Sequence, residues 1–154
     1  MGYVTPKWDM RFLQLAAHVA TWSKDPSTKV GAVIANDKFL VSVGYNGFPS
    51  LVYDTEKRLE HRETKYKMIV HAESNAIISA KRDLFGYTMY CSLFPCTTCA
   101  GLIIQSGIHK VVAPQLTDPA LKERWQDSMD TGMAMFIEAG IACETYNMDD
   151  YKNA

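Results

Sequence analysis

HAE (71–73) and PCTTC (95–99) are the two stretches around which this 154-residue chain is organised. A zinc ion in a catalytic site typically takes three protein ligands and leaves a fourth tetrahedral position to water. His71, Cys96 and Cys99 supply such a set. A Cys-x-x-Cys pair at the first turn of a helix directs both sulfurs toward one metal, and the N–H groups of that helix end favour thiolate over thiol. The pattern therefore predicts a zinc site at these three residues.

Glu73 follows the histidine by two residues, too close in sequence to be the usual fourth ligand. Its carboxylate is well placed to take a proton from a water on the metal instead. A Cys-x-x-Cys pair also occurs in redox dithiols and in structural zinc sites, and both alternatives stay open here. The proline before Cys96 and the His-x-Glu that begins 25 residues upstream of it complete a signature that resembles that of zinc-dependent nucleobase deaminases, and this resemblance favours a catalytic zinc. A structural zinc would normally need a fourth protein ligand, and the sequence offers no obvious one.

The composition is that of an ordinary globular domain. Of the residues 47% are hydrophobic and 21% charged, and the formal net charge is −1. We therefore expect one domain over 1–154, with no broad basic surface for a nucleic acid. The sequence shows no signal peptide and no apolar run of about 20 residues, so we expect no membrane partner and a cytoplasmic location. Cys91 and Cys143 have apolar and β-prone neighbours and are predicted to be core residues.

Hydrophobic periodicity predicts alternating helices and strands along the chain. Asn36-Asp37-Lys38 separates two strand-like runs and consists of residues typical of turns, so the sequence predicts an antiparallel hairpin there. The predicted helices cover 6–22, 69–81, the stretch from Cys96 to near Gly107, and 121–140; the predicted strands cover 29–35, 39–45, 87–94, 110–113 and 141–146. The pattern predicts a three-layer α/β fold, in which a mixed sheet of about five strands has helices on both faces. Residues 147–154 are expected to form a polar tail.

The local sequence alone does not indicate a role for two polar segments. The segment GYNGFP (44–49) has two glycines around Asn46, which allow a close approach of the backbone to a ligand but also occur in ordinary loops. The segment 54–68 is densely charged. It is predicted to be a solvated helix or ordered loop, with contact to a phosphate or to a neighbouring subunit as the alternative.

Five segments together resemble the deoxycytidylate (dCMP) deaminases, in the zinc-dependent cytidine deaminase superfamily. These segments are SKDPSTKVGAVI (23–34), GYNGFP (44–49), HAESNAI (71–77), LFPCTTCAGLIIQSGI (93–108) and EAGI (138–141). The metal motif marks the wider superfamily, and the first two segments narrow the resemblance to the deoxycytidylate branch. The resemblance implies a cytidine-deaminase-like fold and the hydrolysis of dCMP to dUMP and ammonia, which supplies the precursor of thymidylate.

The resemblance also implies roles for individual residues. Zinc lowers the pKa of its water, and Glu73 takes the water proton, protonates ring N3 and assists the departing amine. We expect Glu73 to be ionised in the resting enzyme. Asn46 matches the asparagine that hydrogen-bonds the sugar 3′-hydroxyl. Further candidates for substrate contacts are Lys29 and Ser23 or Ser27 for the 5′-phosphate, Ala72 beside the ligand histidine, and Phe94 and Trp125 as walls for the base. Loop 114–126 does not resemble the animal enzymes closely, so contacts there do not carry over.

Regulation and assembly follow from the resemblance alone. Deoxycytidylate deaminases are typically homohexamers that dCTP activates with Mg²⁺ and dTTP inhibits. The expected position for a triphosphate is the charged stretch 56–67 together with the GYNG loop, namely Gly44, Tyr45, Asn46, Gly47, Arg58 and His61.

Two alternatives remain at this point. The first is another deaminase of the superfamily, which acts on a free nucleoside or base or on a tRNA adenosine. The second is a non-catalytic zinc module that binds a partner. The net charge of −1 disfavours a nucleic-acid polymer, because such binding needs several basic contacts. Glu73 disfavours an inert module, because a structural zinc needs no such carboxylate.

Overall fold

The computed structural model describes residues 5–151, which form one five-stranded mixed sheet with helices on both faces. The helices are α1 (Pro6–Ala20), α2 (Glu56–Glu60), α3 (Arg62–Met68), α4 (Ala72–Ala80), α5 (Thr97–Gln105) and α6 (Pro119–Glu138). The strands are β1 (Gly31–Asn36), β2 (Phe39–Tyr45), β3 (Thr88–Cys91), β4 (Lys110–Pro114) and β5 (Ala142–Tyr146). A 3₁₀ turn, Met148–Tyr151, follows. The predicted fold class is confirmed.

The strand order is β2-β1-β3-β4-β5. β1 pairs antiparallel with β2 through the predicted hairpin, and antiparallel with β3 on its other side. β3, β4 and β5 are parallel neighbours, which the intervening helices α5 and α6 allow. The predicted strand–helix–strand crossover through α5 is therefore present. Because β2 and β5 are the edge strands, β1, β3 and β4 carry the continuous buried runs.

Alternate residues of the central strands contribute to two apolar cores, one on each face of the sheet. On one face, Val33, Tyr90 and Val112 pack against α1 through Phe12 and Leu13. On the other face, the strands pack against α4, α5 and α6. This second layer is the one that positions the site, because α4 and α5 begin with the residues of the HAE and PCTTC stretches.

The observed boundaries differ from the predicted ones where polar or extended residues interrupt a helical pattern. The helix predicted from 69 begins at Ala72, because Ile69 and Val70 are extended and Val70 forms a bridge with Gly47. The charged stretch forms α2 and α3, separated at His61, whose ring Nδ1 accepts a hydrogen bond from the Thr64 amide. The predicted tail contains the 3₁₀ turn, and its residues 152–154 lie outside the described part of the chain.

Gly44 is required by the packing of α4 on the sheet. A Cβ at this position would lie 2.3 Å from the Ala72 carbonyl oxygen and 2.4 Å from the Ala76 nitrogen. A Cβ at Gly47, in contrast, would have no atom within 4 Å. Gly44, the first glycine of the GYNG loop, therefore allows the close packing of α4 and not the approach of a ligand. Within residues 5–151, no helix is both long enough and apolar enough to cross a membrane.

Candidate active site

The three predicted metal ligands come together at the ends of two helices. His71 is the N-cap of α4, Cys96 is the N-cap of α5, and Cys99 lies in the first turn of α5. The Nδ1 atom of His71 is 3.5 Å from Sγ of Cys96 and 3.3 Å from Sγ of Cys99. All three ligand atoms lie within 4.8 Å of one another.

These distances fit a tetrahedral zinc ion. Typical Zn–S and Zn–N bonds of about 2.3 and 2.0–2.1 Å, at a tetrahedral angle, separate sulfur and nitrogen ligands by about 3.6 Å. The observed separations of 3.3 and 3.5 Å are close to that value. One nitrogen and two sulfurs leave one tetrahedral position open, as a catalytic zinc site requires. The donor set therefore fits zinc and the predicted use of it.

Hydrogen bonds among the three ligands also change the pKa values of their groups. Hydrogen bonding from the Cys99 thiol, and then from His71, lowers the pKa of Cys96 to about 4. The hydrogen bond with Cys96 and burial raise the pKa of the Cys99 thiol. The hydrogen bond with Cys96 also raises the pKa of His71. Hydrogen bonds from the other two ligands therefore stabilise the thiolate form of Cys96, and a metal cation would take the place of those donors.

Glu73 is the second residue of α4, and its carboxyl group is buried. Burial raises the pKa of Glu73, an effect that its own backbone N–H and the neighbouring His71 partly oppose. The direction differs from the expectation of a readily ionised carboxylate, because desolvation exceeds the favourable effect of the helix end. A carboxylate with a raised pKa is a better proton acceptor, so the environment suits general acid–base chemistry.

A cavity of about 100 Å³ opens beside these groups. His71, Glu73 and Cys96 line one part of it. The predicted contact residues Ser27, Asn46, Ala72, Phe94 and Trp125 line it as well. The structure therefore brings the metal ligands, the acidic group and most of the predicted contacts to one place.

Asn46 is buried, and its amide group organises the loop at the cavity wall. Its Oδ1 accepts from the Val30 amide (2.9 Å), and its Nδ2 donates to the Thr28 carbonyl (2.9 Å) and to Asp25 Oδ2 (3.4 Å). Both amide protons are therefore used within the protein, and one lone pair of Oδ1 remains for a ligand hydroxyl.

A buried ion pair holds the same loop. Lys65 Nζ lies 3.0 Å from Asp25 Oδ1, and both side chains line the cavity. The Asp25 Oδ1 atom also accepts from the amides of Ser27 (2.8 Å) and Thr28 (3.2 Å). The sequence alone does not indicate that these two residues form a pair at the site. Its members lie 40 residues apart, and Lys65 stands in a stretch whose charges are otherwise mostly exposed.

Two of the predicted phosphate contacts lie away from this cavity. Ser23 is buried, and its hydroxyl donates to the Asn46 carbonyl (2.8 Å). Lys29 donates through Nζ to the Ser23 carbonyl and lines a neighbouring hollow. That hollow shares Thr28 and Leu93 with the cavity. The turn thus uses the Ser23 hydroxyl and one N–H of the Lys29 ammonium for its own structure, and of the three predicted residues it presents Ser27 to the cavity.

The aromatic walls lie on the α5–α6 side. Phe94 is buried and packs edge-on against Phe136 of α6, with ring centroids 6.0 Å apart. Trp125 of α6 is half-buried, and its buried Nε1 has no hydrogen-bond partner among the described residues. An indole N–H is a donor only, so this wall offers one unused donor at the cavity.

The residues expected to bind a triphosphate are divided between two places. Arg58 and His61 line an open hollow around α2, together with Thr55, Lys57 and Glu60 among others. Arg58 donates to the Tyr53 carbonyl (2.9 Å). Of the GYNG residues, Gly44 and Tyr45 end β2, Asn46 lies in the cavity wall, and Gly47 bridges to Val70. These four residues do not line the hollow around α2.

Comparisons with known proteins agree with this geometry. Residues 6–115 match the family model of the cytidine and deoxycytidylate deaminase zinc-binding region. An uncharacterized deaminase of Aliivibrio fischeri, in the luxG 3′ region, is 46% identical over 95% of this chain and 98% of its own length. The deoxycytidylate deaminase of Mus musculus is 38% identical over 88% of this chain and 77% of its own. The dCMP deaminase of cyanophage S-TIM5, solved with dCMP and dUMP, shares the fold with a TM-score of 0.74. It is 21% identical over 94% of this chain and 100% of that one.

Proposed function

Because the chain belongs to the cytidine and deoxycytidylate deaminase family, we propose that it hydrolyses dCMP to dUMP and ammonia. The observation that carries the proposal is the buried carboxyl group of Glu73, which lines one cavity with the zinc ligands His71 and Cys96. The name of the mouse relative supports dCMP as the substrate. The reaction would supply dUMP for the synthesis of thymidylate.

His71, Cys96 and Cys99 would hold the zinc ion. When bound, zinc would supply Lewis-acid activation of the attacking water. The lowered pKa of Cys96 favours the thiolate that such a ligand must provide. His71 Nδ1 lies 3.5 Å from Cys96 Sγ and 3.3 Å from Cys99 Sγ, so the three ligand atoms surround one position.

Glu73 would move the protons of the reaction. Water attacks C4 of the cytosine ring, and the Glu73 carboxylate takes a proton from it and delivers one to ring N3. The same carboxyl group then helps the amine leave as ammonia. A single buried group can serve all three transfers because α4 fixes it at the cavity and burial raises its pKa.

The cavity wall would orient the nucleotide. Phe94 and Trp125 would bound the base, and Ala72, between the ligand histidine and Glu73, would border it from α4. The remaining lone pair of Asn46 Oδ1 would accept the sugar 3′-hydroxyl proton. Ser27 would contact the sugar–phosphate end. Ser23 and Lys29 would support this turn from behind, since their donors bind main-chain carbonyls.

Regulation, assembly and location remain proposals that rest on the resemblance. We expect activation by dCTP with Mg²⁺, inhibition by dTTP, a homohexamer and a cytoplasmic enzyme. The open hollow that contains Arg58 and His61 would be the position for the triphosphate. Kinetics with dCTP and with dTTP, together with sedimentation of the protein, would decide the regulation and the assembly. An unchanged rate and a monomer would remove them while leaving the deaminase proposal intact.

The test of the proposed reaction is ammonia release from a panel of substrates. The zinc-loaded protein is offered dCMP, deoxycytidine, cytosine and adenosine nucleotides, and we expect dCMP to give by far the highest kcat/KM. Glu73→Gln should keep the zinc and lose at least ~10²-fold in kcat, because the amide cannot transfer protons. Glu138→Gln, on the exposed end of α6, is the matched control. Near-normal turnover by Glu73→Gln would refute the proton-transfer role. Equal kcat/KM for dCMP and deoxycytidine would refute the nucleotide assignment.

A further inference from the structure

Asn46 is the cavity residue whose orientation decides which kind of group a ligand can place beside it. A side-chain amide carries an acceptor oxygen at one end and an NH₂ donor at the other, and rotation about its last bond exchanges the two. The Val30 N–H, 2.9 Å from Oδ1, matches the oxygen, and the Thr28 carbonyl, 2.9 Å from Nδ2, matches the nitrogen. The second proton of Nδ2 goes to Asp25. Among the described residues, the amide therefore keeps one acceptor lone pair on Oδ1 and has no donor left for a ligand.

The Asp25 carboxylate adds a charge to this preference. Its Oδ2 lies 3.4 Å from Asn46 Nδ2, while its Oδ1 is held by the amides of Ser27 (2.8 Å) and Thr28 (3.2 Å). If the Asn46 amide were reversed, its oxygen would face this carboxylate and the Thr28 carbonyl, and its NH₂ group would face the Val30 N–H. Acceptors would then oppose acceptors in a buried region, where unmatched polar groups are most costly. The carboxylate therefore disfavours the reversed amide more strongly than a neutral group would.

Lys65 is the group that allows a carboxylate to be buried here. Its Nζ lies 3.0 Å from Asp25 Oδ1, and only 5% of either side chain is exposed. Asp25 precedes β1, Asn46 follows β2 and Lys65 belongs to α3, so the three polar groups come from separate segments. A buried ion pair typically stabilises a protein no better than apolar side chains of the same shape. The distinct contribution of this pair is therefore the arrangement that it imposes on its neighbours.

We propose that Asp25 and Lys65 are positioning residues that make Asn46 present an acceptor to the cavity, so that this wall selects a ligand with a hydroxyl donor. The inference rests on the proposed function, in which that donor is the sugar 3′-hydroxyl of dCMP. A nucleotide without the hydroxyl would leave Oδ1 with an unmatched lone pair. A fluorine atom in its place has a similar size but no proton and a partial negative charge, so it would be repelled. The wall would thus distinguish a donor from an acceptor and not only a large group from a small one.

The test is calorimetry with the zinc-loaded protein and three ligands that need no turnover. These are dUMP, its 3′-deoxy analogue and its 3′-fluoro-3′-deoxy analogue. We expect dUMP to bind roughly 10-fold more tightly than the 3′-deoxy analogue, and the 3′-fluoro analogue to bind most weakly. The double variant Asp25→Asn with Lys65→Met removes both buried charges and keeps the shapes. There the ratios should fall to within about threefold, because the new amide, held through its oxygen by the Ser27 and Thr28 amides, presents an NH₂ group to Asn46 Nδ2.

Two controls separate positioning from stability. Lys24→Met with Asp54→Asn removes an exposed ion pair and should change neither the affinities nor their ratios. Lys65→Arg keeps a positive charge beside Asp25 and should retain the ratios even if it lowers the melting temperature. A purely structural role would weaken all three ligands by one factor, so unchanged ratios in the folded double variant of Asp25 and Lys65 would overturn the proposal.

The unmodified protein gives an independent test that needs no variant to fold. Equal affinities for dUMP and the 3′-fluoro analogue would overturn the inference, and the proposed reaction would stand if dCMP still released ammonia. If dUMP bound in preference to both analogues while no member of the substrate panel released ammonia, the proposed reaction would fail and the selection of a hydroxyl donor would stand.

Discussion

Replacing Lys65 with methionine tests how far the buried ion pair supports the cavity wall. Methionine keeps a straight apolar stem of similar length and removes the ammonium group. Asp25 would then stay buried with its negative charge, because only 5% of its side chain is exposed. The Asp25 carboxylate would keep the amide hydrogen bonds of Ser27 and Thr28, so part of the lost stabilisation would remain.

The expected loss of stability follows from the burial of the Lys65–Asp25 pair rather than from the distance between its atoms. Removal of one partner from a buried ion pair typically destabilises a protein by about 3–5 kcal/mol. Because Asp25 retains main-chain donors, we expect a value near the lower limit, about 3 kcal/mol. For a chain of this size such a loss lowers the melting temperature by about 6–12 °C. The loop 25–28 should also loosen, which raises KM for dCMP under the proposed function.

The protein offers its own control. Lys24 and Asp54 form an ion pair at 2.8 Å, shorter than the 3.0 Å between Lys65 and Asp25, but their side chains are 69% and 44% exposed. Thermal unfolding, monitored by circular dichroism, should show a clear fall in melting temperature for Lys65→Met and essentially no change for Lys24→Met. Asp25→Asn in the Lys65→Met background should recover part of the loss, since no buried charge then remains. Equal changes for Lys65→Met and Lys24→Met would refute the reasoning from burial.

Two further predictions concern the metal site and its scaffold. Cys99→Ser should lower the zinc content from about one ion per chain and abolish turnover, whereas Cys143→Ser should retain the metal by elemental analysis; a metal-free but active Cys99→Ser protein would contradict the zinc assignment. Gly44→Ala should displace α4 and reduce both stability and zinc content, because its Cβ would lie 2.3 Å from the Ala72 carbonyl oxygen. Gly47→Ala, with no atom within 4 Å of the added Cβ, should unfold close to the unmodified protein, and equal destabilisation of the two glycine variants would contradict the packing argument.

The metal ligands and the fold were accessible from sequence because both depend on local patterns. Cys96 and Cys99 are three residues apart, close to the 3.6 residues of one helix turn. Their side chains therefore face one point once α5 begins there. Strand and helix periods fixed the order of elements in the same way. The start of α4 at Ala72 rather than at residue 69 depended on the bridge between Val70 and Gly47. That contact joins segments more than 20 residues apart and leaves no periodic signal.

The polar wall of the cavity depended on contacts of this longer kind. Lys65 stands among residues whose charges mostly face solvent, and no feature of the sequence marks it as the buried member of this stretch. Lys67 pairs with Glu63 within α3 on the exposed surface, and Lys65 pairs with Asp25 in the interior. Lys65 and Lys67 lie two positions apart in α3 and therefore on different faces of the helix, so one faces the loop 25–28 and the other faces solvent.

The residue types of Lys29 and Ser23 favour contact with a phosphate, but the structure engages both side chains within the turn itself. Both residues carry suitable donors in a turn next to the cavity, but a turn must also satisfy its own buried carbonyl groups. Ser23 and Lys29 each donate to such a carbonyl. Ser27, in the same turn, instead lines the cavity. The residue type shows which side chains can donate a hydrogen bond. Whether such a donor is still free for a ligand depends on its contacts in the folded protein.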